Sequence, residues 1–292
     1  MNNIFISETD SAFLLIDPSL DNKTAGLCDL IVVVEDSSIQ LALVEKKSNR
    51  FLALEVFQFV SNEFENWNDC FKTTSAKSIL LKKYEFSKVK ICLSSLQYTL
   101  VPEALHHPGD EHAYFKLNFN NYSDLLVNDA HVNTFHLFSI YGVSKELIKE
   151  LNHLFQDPKI IHHTEILLKS AVKIARSENE KKILLNIRKN EVDILITEGK
   201  KLIYLNSFKR NSDEDVLYFT LFTFEQLEFD PENVHVFLSG EIEPESSLYK
   251  LLYKYIRKIN FVGMDRSLLF GKGFETIPSH FYFTLYNLAL CE

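Results

Sequence analysis

Apolar residues in this chain come in short runs separated by polar breaks, and near the N-terminus three runs follow one another: Asp29–Glu35, Ser38–Glu45 and Arg50–Val60. The middle run sets Ile39, Leu41 and Leu43 against Gln40, Ala42 and Val44, and the breaks carry Asp36-Ser37 and Lys46-Lys47-Ser48-Asn49. Such β-rich runs with polar turns predict a three-stranded meander. A helical stretch from about Asp69 to Tyr84 leads to a further strand, Lys88–Ser94. After the polar segment His106–His112, the run Val132–Ile140 reads as another strand. It precedes a helix opened by Ser144 and lined by Leu147, Ile148, Leu151, Leu154 and Phe155 at helical spacing.

The second half repeats the order. Lys181–Arg188, Glu191–Glu198 and Lys201–Phe208 form another meander, turning at Lys189-Asn190 and Gly199-Lys200. Ser212, followed by Asp213, Glu214 and Asp215, is a strong helix start, because acidic side chains face the free N–H groups and the positive end of the helix dipole. That helix is expected to reach about Phe229. A buried strand, Val234–Ser239, follows. Next is a helix with Pro244 near its start, an apolar face of Leu248, Leu251, Leu252, Tyr255 and Ile259, and a solvated stripe of Lys250, Lys254 and Lys258. Asn260–Val262 supplies a last strand and Pro278–Leu290 a closing helix. Two copies of β-β-β-α-β-α-β predict an α/β chain of two ribonuclease H-like domains with mixed sheets, residues 1–157 and 158–292, the last helix packing back on their junction.

Composition narrows the function. A chain of 292 residues suits two cores, and 46% hydrophobic with 24% charged residues is ordinary globular composition. A net charge of −9 with no block of Lys or Arg argues against nucleic acid as partner. No apolar run approaches the ~20 residues a bilayer needs, and the N-terminus lacks a signal-peptide pattern, so a cytoplasmic protein is expected. Cys28, Cys70, Cys92 and Cys291 are scattered and read as structural thiols. Only eight glycines occur, so glycine-built phosphate loops are scarce.

Several stretches carry a resemblance: Tyr98-Thr99-Leu100-Val101-Pro102, Ile161-His162-His163, Leu205-Asn206-Ser207-Phe208, Asp213 through Glu225-Gln226-Leu227, and Ser239-Gly240-Glu241-Ile242. Over nearly its whole length the chain is similar to an uncharacterised Bacteroidetes family with the fold of the actin-like ATPases. The resemblance implies that fold and a bacterial source, but no activity.

The fold also implies where chemistry would sit. Actin-like ATPases grip phosphates at the turn between the first two strands of each half, with an acid for the metal and a glycine for close backbone approach. Here the first turn is Glu35-Asp36-Ser37-Ser38, which has no glycine, and the second is Ile187-Arg188-Lys189-Asn190, which has neither glycine nor carboxylate. Both read as polar hairpin turns. Ser239-Gly240-Glu241 lies where a strand meets a helix, the usual ligand crevice, with Glu241 also serving the helix dipole. Nuclease chemistry is set aside, since Val32-Val33-Val34 and Ile183-Leu184-Leu185 place no acid at the strand centres.

His106, His107 and His112, with Asp110 and Glu111, are metal-ligand types in a loop holding Pro108 and Gly109, which is a poor rigid frame. His162 and His163 read as structural. The sequence therefore points to a non-catalytic protein that binds another protein through the inter-domain groove or an exposed sheet edge. The alternative is an ATP-dependent switch, with magnesium, at a divergent site of Asp36, Ser37, Ser38, Lys189, Asn190 and Gly240.

Overall fold

The computed structural model describes residues 12–59, 66–174 and 181–291. The chain begins with β1 (Phe13–Ile16) and a short helix, α1 (Asn22–Ala25). The predicted meander follows as β2 (Cys28–Glu35), β3 (Ser38–Glu45) and β4 (Arg50–Gln58). Val60, the expected end of the third run, lies outside the described residues.

The stretch expected as one helix is two, α2 (Trp67–Lys77) and α3 (Ile79–Lys83). The break is at Ser78, whose backbone is extended (φ −58°, ψ 124°) and whose hydroxyl caps α3. Glu55, fully buried on β4, accepts from Ser78 Oγ at 2.6 Å, Ile79 N at 2.9 Å and Leu80 N at 3.1 Å, and so holds the start of α3.

After β5 (Val89–Leu93) the structure adds what the pattern did not predict. β6 (Tyr98–Pro102), β7 (Leu125–Val132) and β8 (Leu137–Ser144) build a separate antiparallel sheet, ordered β6-β8-β7, against which α4 (Glu111–Lys116) packs through Phe115. The run read as one strand, Val132–Ile140, is the junction of β7 and β8 across a 3₁₀ turn at Asn133–Phe135.

Ser144 caps α5 (Lys145–Leu154), as expected. Next come β9 (Lys159–His162) and α6 (His163–Ile174), a helix that the sequence reading missed. The second half contains β10 (Lys181–Ile187), β11 (Glu191–Glu198), β12 (Lys201–Lys209), α7 (Asp213–Gln226), β13 (His235–Gly240), α8 (Ser247–Tyr255) and β14 (Lys258–Phe261). The expected cap on α7 is a capping box between Ser212 and Asp215. Ile259 and Lys258, read as part of the following helix, lie in β14, because α8 stops at Tyr255. Pro244 precedes the helix, which Ser246 caps. The chain closes with β15 (Leu269–Phe270) and α9 (Phe283–Ala289).

The duplication is explicit in the sheets. Strand order β4-β3-β2-β5-β9 in the first is matched by β12-β11-β10-β13-β14 in the second. Along β2, Leu30, Val32 and Val34 face α2 and α5, while Ile31 and Val33 face a cluster with Leu285 and Leu288 of α9, so both sides of the strand are covered. In the second sheet Ile183 and Leu185 pack with Val216 and Phe224 of α7 and Leu248 and Leu252 of α8. Leu184 and Leu195 pack on the other side with Leu167, Leu168 and Ala171 of α6, together with Phe283 of α9. Helices α6 and α9 therefore fill the space between the sheets. Among the described residues no helix is long and apolar enough to cross a membrane.

Candidate functional site

Each repeat contributes a hairpin turn to the junction, and the two turns occupy equivalent places. Glu35 pairs with Ser38 across the first, as Arg188 pairs with Glu191 across the second. Phe59 joins them: its N–H donates to the Ser37 carbonyl at 2.8 Å, and its carbonyl accepts from Lys189 Nζ at 3.3 Å. Asp36 is exposed, but Ser37 and Ser38 are buried, and Ser38 Oγ donates to Glu35 at 2.9 Å. Asn190 gives its carbonyl to Arg210 N–H.

The turns thus bring opposite charges into a dry place. Arg188 is buried, and its guanidinium donates through Nε to Asp193 Oδ2 at 3.1 Å, through Nη2 to Asp193 Oδ1 at 2.8 Å, and through Nη1 to Glu191. Burial opposes the charge of Arg188, but the Asp193 carboxylate overrides it and raises the pKa. Burial would also push Asp193 up; the charge of Arg188 and the hydrogen bond from His163 reverse this and hold the carboxyl well below the usual range. For Glu35 burial wins over the attraction of Arg188 and the Ser38 hydrogen bond, and its pKa rises.

Nearly all the stretches that carry the family resemblance converge here. Asp193 Oδ1 also accepts from Ser207 Oγ at 2.6 Å, Ser207 in turn meets the Tyr98 hydroxyl at 3.0 Å, and His163 Nε2 lies 3.5 Å from Asp193 and 3.4 Å from Ser207. Asn186 Nδ2 donates to Asp193 Oδ2 at 2.9 Å, and its Oδ1 accepts from Ser239 at 2.9 Å. His162 ends β9, stacks on Tyr141 at 4.4 Å, and bonds Thr164 through Nδ1 at 2.8 Å; His163 opens α6. Burial lowers the pKa of both imidazoles, which favours their neutral forms.

Gly240 is occupied by the protein's own backbone. At φ +84°, a Cβ there would lie 2.0 Å from the Ile187 carbonyl oxygen, so only glycine permits β13 to meet the end of β10. Its N–H donates to the His280 carbonyl at 2.7 Å, and Glu241 N–H donates to Ile187 at 2.7 Å. Burial, then the neighbouring Glu35, raise Glu241 to about 7 against the pull of Lys189, Arg210 and Arg188.

The segment preceding and opening α9 seals the remaining space. Tyr282 and Thr284, with Glu35, Gln40 and Arg188, line a cavity of about 10 Å³, which at that size admits about one water. Mg-ATP needs unengaged N–H groups toward its phosphates and a carboxylate free for the metal. Here the N–H of Gly240 and the hydroxyl of Ser38 are already bonded within the chain and the ammonium of Lys189 donates to Phe59, while Asp36 is exposed.

In the histidine segment His107 and His112 are exposed, whereas the ring of His106 turns inward and lies near Glu111 and Asp129. Sequence reasoning also passed over Asn186 and Asp193 as site residues. The available signal was a polar residue inside a strand otherwise made of apolar ones, as in Glu191–Glu198.

The profile described as "Protein of unknown function (DUF3822)" matches residues 17–259. Among solved structures, a Bacteroides thetaiotaomicron VPI-5482 protein with an actin-like ATPase fold and unknown function is similar at 20% identity and a TM-score of 0.78, over 94% of this chain and 99% of that one. The PilM-PilN type IV pilus biogenesis complex gives 11% identity and a TM-score of 0.59, over 90% and 97%. The fold of this chain is that of the actin-like ATPases. No curated protein matches it.

Proposed function

The chain belongs to the DUF3822 family of proteins of unknown function, and from that premise we propose that it is a non-catalytic actin-like protein that works by binding another protein. The observation that carries this reading is the closed junction. The phosphate-side turns are tied to each other and to Asp193, and the cavity where Glu35, Arg188 and Gly240 meet is only about 10 Å³, where a nucleotide would need hundreds. A chain that keeps this two-part architecture while its cleft is filled from within retains surfaces rather than a reaction centre.

The proposed contact surface is the open groove of about 710 Å³ between the three-stranded sheet and the β11–β12 turn. Leu100, Leu137 and Leu202 floor it, and Glu198, Lys200 and Lys201 rim it. Apolar floor with charged rim is the usual anatomy of a protein contact. A structure of similar fold comes from the PilM-PilN type IV pilus biogenesis complex, which agrees with a protein as the ligand class.

Thermal unfolding with millimolar Mg-ATP or Mg-ADP tests the reading. We expect no shift. A saturable shift abolished by EDTA and by Asp36→Ala would overturn it in favour of a nucleotide switch, because a ligand at about 100-fold excess over Kd adds ~2.7 kcal/mol of stability. Lys200→Glu with Lys201→Glu should weaken retention of a native partner without lowering the melting temperature.

A further inference from the structure

We propose that His106, Glu111 and Asp129 form a binding site for one divalent transition-metal ion, zinc fitting best, which clamps α4 and the preceding turn onto the three-stranded sheet. The three residues come from different places: the connection after β6, the first position of α4, and the middle of β7. Folding brings one ligand atom of each within 4.8 Å of the others.

The His106 side chain is only 3% exposed, and its ring lies face to face on Phe138, with centroids 3.6 Å apart and planes 7° from parallel. His131 stacks on the same phenyl ring at 4.4 Å, so Phe138 is gripped by both imidazoles. A ring held so cannot swing to seek a better hydrogen bond. Its Nε2 sits 3.3 Å from Asp129 Oδ2, yet this buried nitrogen makes no hydrogen bond of acceptable geometry. Close approach without alignment is what two ligands of a common cation show. With metal–ligand bonds of about 2.1 Å and tetrahedral angles, neighbouring donor atoms lie about 3.4 Å apart.

Glu111 is placed by its own turn, since its Oε1 accepts the Gly109 N–H at 2.9 Å. The nearby His131 and His136 are engaged elsewhere, both on Glu103 Oε2, at 3.5 and 3.2 Å. The donor set of one imidazole and two carboxylates favours zinc, manganese or cobalt over magnesium and calcium, which prefer oxygen alone. Water completes the shell on the side where Asp129 is 35% exposed. A small drawing-in of the two carboxylates brings all three atoms to bonding distance.

The test uses the full chain without a histidine tag, stripped with EDTA and titrated with zinc chloride by calorimetry and thermal unfolding. One ion per chain should bind, with a rise in melting temperature, and magnesium chloride should give no such response. Asp129→Asn, at a partly exposed position, and His106→Phe, which keeps an aromatic ring on Phe138, should each weaken zinc binding at least tenfold, the scale on which even supporting residues matter in metal sites. Circular dichroism checks that both variants fold. His107→Ala and His112→Ala should bind as the parent does. No stoichiometric binding by the parent, parental affinity in Asp129→Asn, or loss in the His107 and His112 variants instead would overturn the site, the last marking an adventitious ion only.

Discussion

Asp193 shows how one residue organises the junction. It is fully buried and accepts from Arg188, Asn186 and Ser207, and the side chain that neutralises it comes from the adjoining turn of the same hairpin. Glu241 stands at the edge of this network with an opposite bias, because burial and Glu35 raise its pKa from 4.5 to about 7. A carboxyl whose folded pKa lies above its unfolded value stabilises the fold below about pH 4.5 and loses that contribution as pH rises through 7. Glu241→Gln should therefore flatten the fall in stability between pH 5 and 8. At pH 8 the variant should be more stable than the parent by about 2 kcal/mol, after discount for partial solvent contact. Buried His162 and His163, whose pKa values are lowered, act in the other direction: their contribution is present above about 6.5 and lost on acidification. Urea titrations of parent and variant across that range separate the two effects, since the histidine contribution is common to both.

At the scale of the element, the informative case is the break between α2 and α3. Propensity alone would carry one helix through Ser78, a residue that tolerates but does not favour the helix interior. Glu55 decides otherwise by offering its carboxyl to the hydroxyl and two backbone N–H groups at the start of α3. Glu55→Ala should cost about 3 kcal/mol in chemical denaturation, because two buried donors and a part-buried one lose their partner at once. A cost under 1 kcal/mol would mean that solvent reaches that helix start. The capping box at Ser212 is the contrasting case: the residues that end the disorder of the helix start lie within four positions of one another, and so are readable without the fold.

For the whole molecule, the two halves are held by what lies between them, α6, α9 and the bond from Lys189 to Phe59, and within the second half β10 is sealed against β13. Gly240 is the tightest point. Gly240→Ala would put a methyl group 2.0 Å from the Ile187 carbonyl in a backbone conformation that alanine resists, so β13, the His280 contact and α9 must shift together. The expected outcome is a loss of about 3 kcal/mol or more, accompanied by faster hydrogen exchange in residues 235–240 and 280–289. Exchange changes confined to the turn at 240 would argue that the halves are joined less tightly than the geometry implies.

The duplicated order of strands and helices was legible because each meander announces itself through period-2 alternation and polar turns within a few residues, as at Ser38–Glu45 and Glu191–Glu198. The starts of α5 and α7 were equally plain, since Ser144 and Ser212 act on N–H groups in their own first turns. The three-stranded sheet was not, because β7 alternates weakly and gains its register from β8 rather than from a run of apolar residues. Helix α6 was missed because its buried residues Leu167, Leu168 and Ala171 answer to surfaces of the second sheet far along the chain. The same holds for the site. Sequence located both turns and the Ser239-Gly240-Glu241 step, but their role depended on partners far along the chain: Ser239 meets Asn186 across 53 positions and Lys189 meets Phe59 across 130. Local patterning thus determined which elements form and in what order, since their hydrogen bonds and caps are short-range. Only the tertiary structure decided that Arg188 meets Asp193 beside Glu35 and that His106 meets Asp129, since charge pairing, close packing and ligand convergence depend on distance in space.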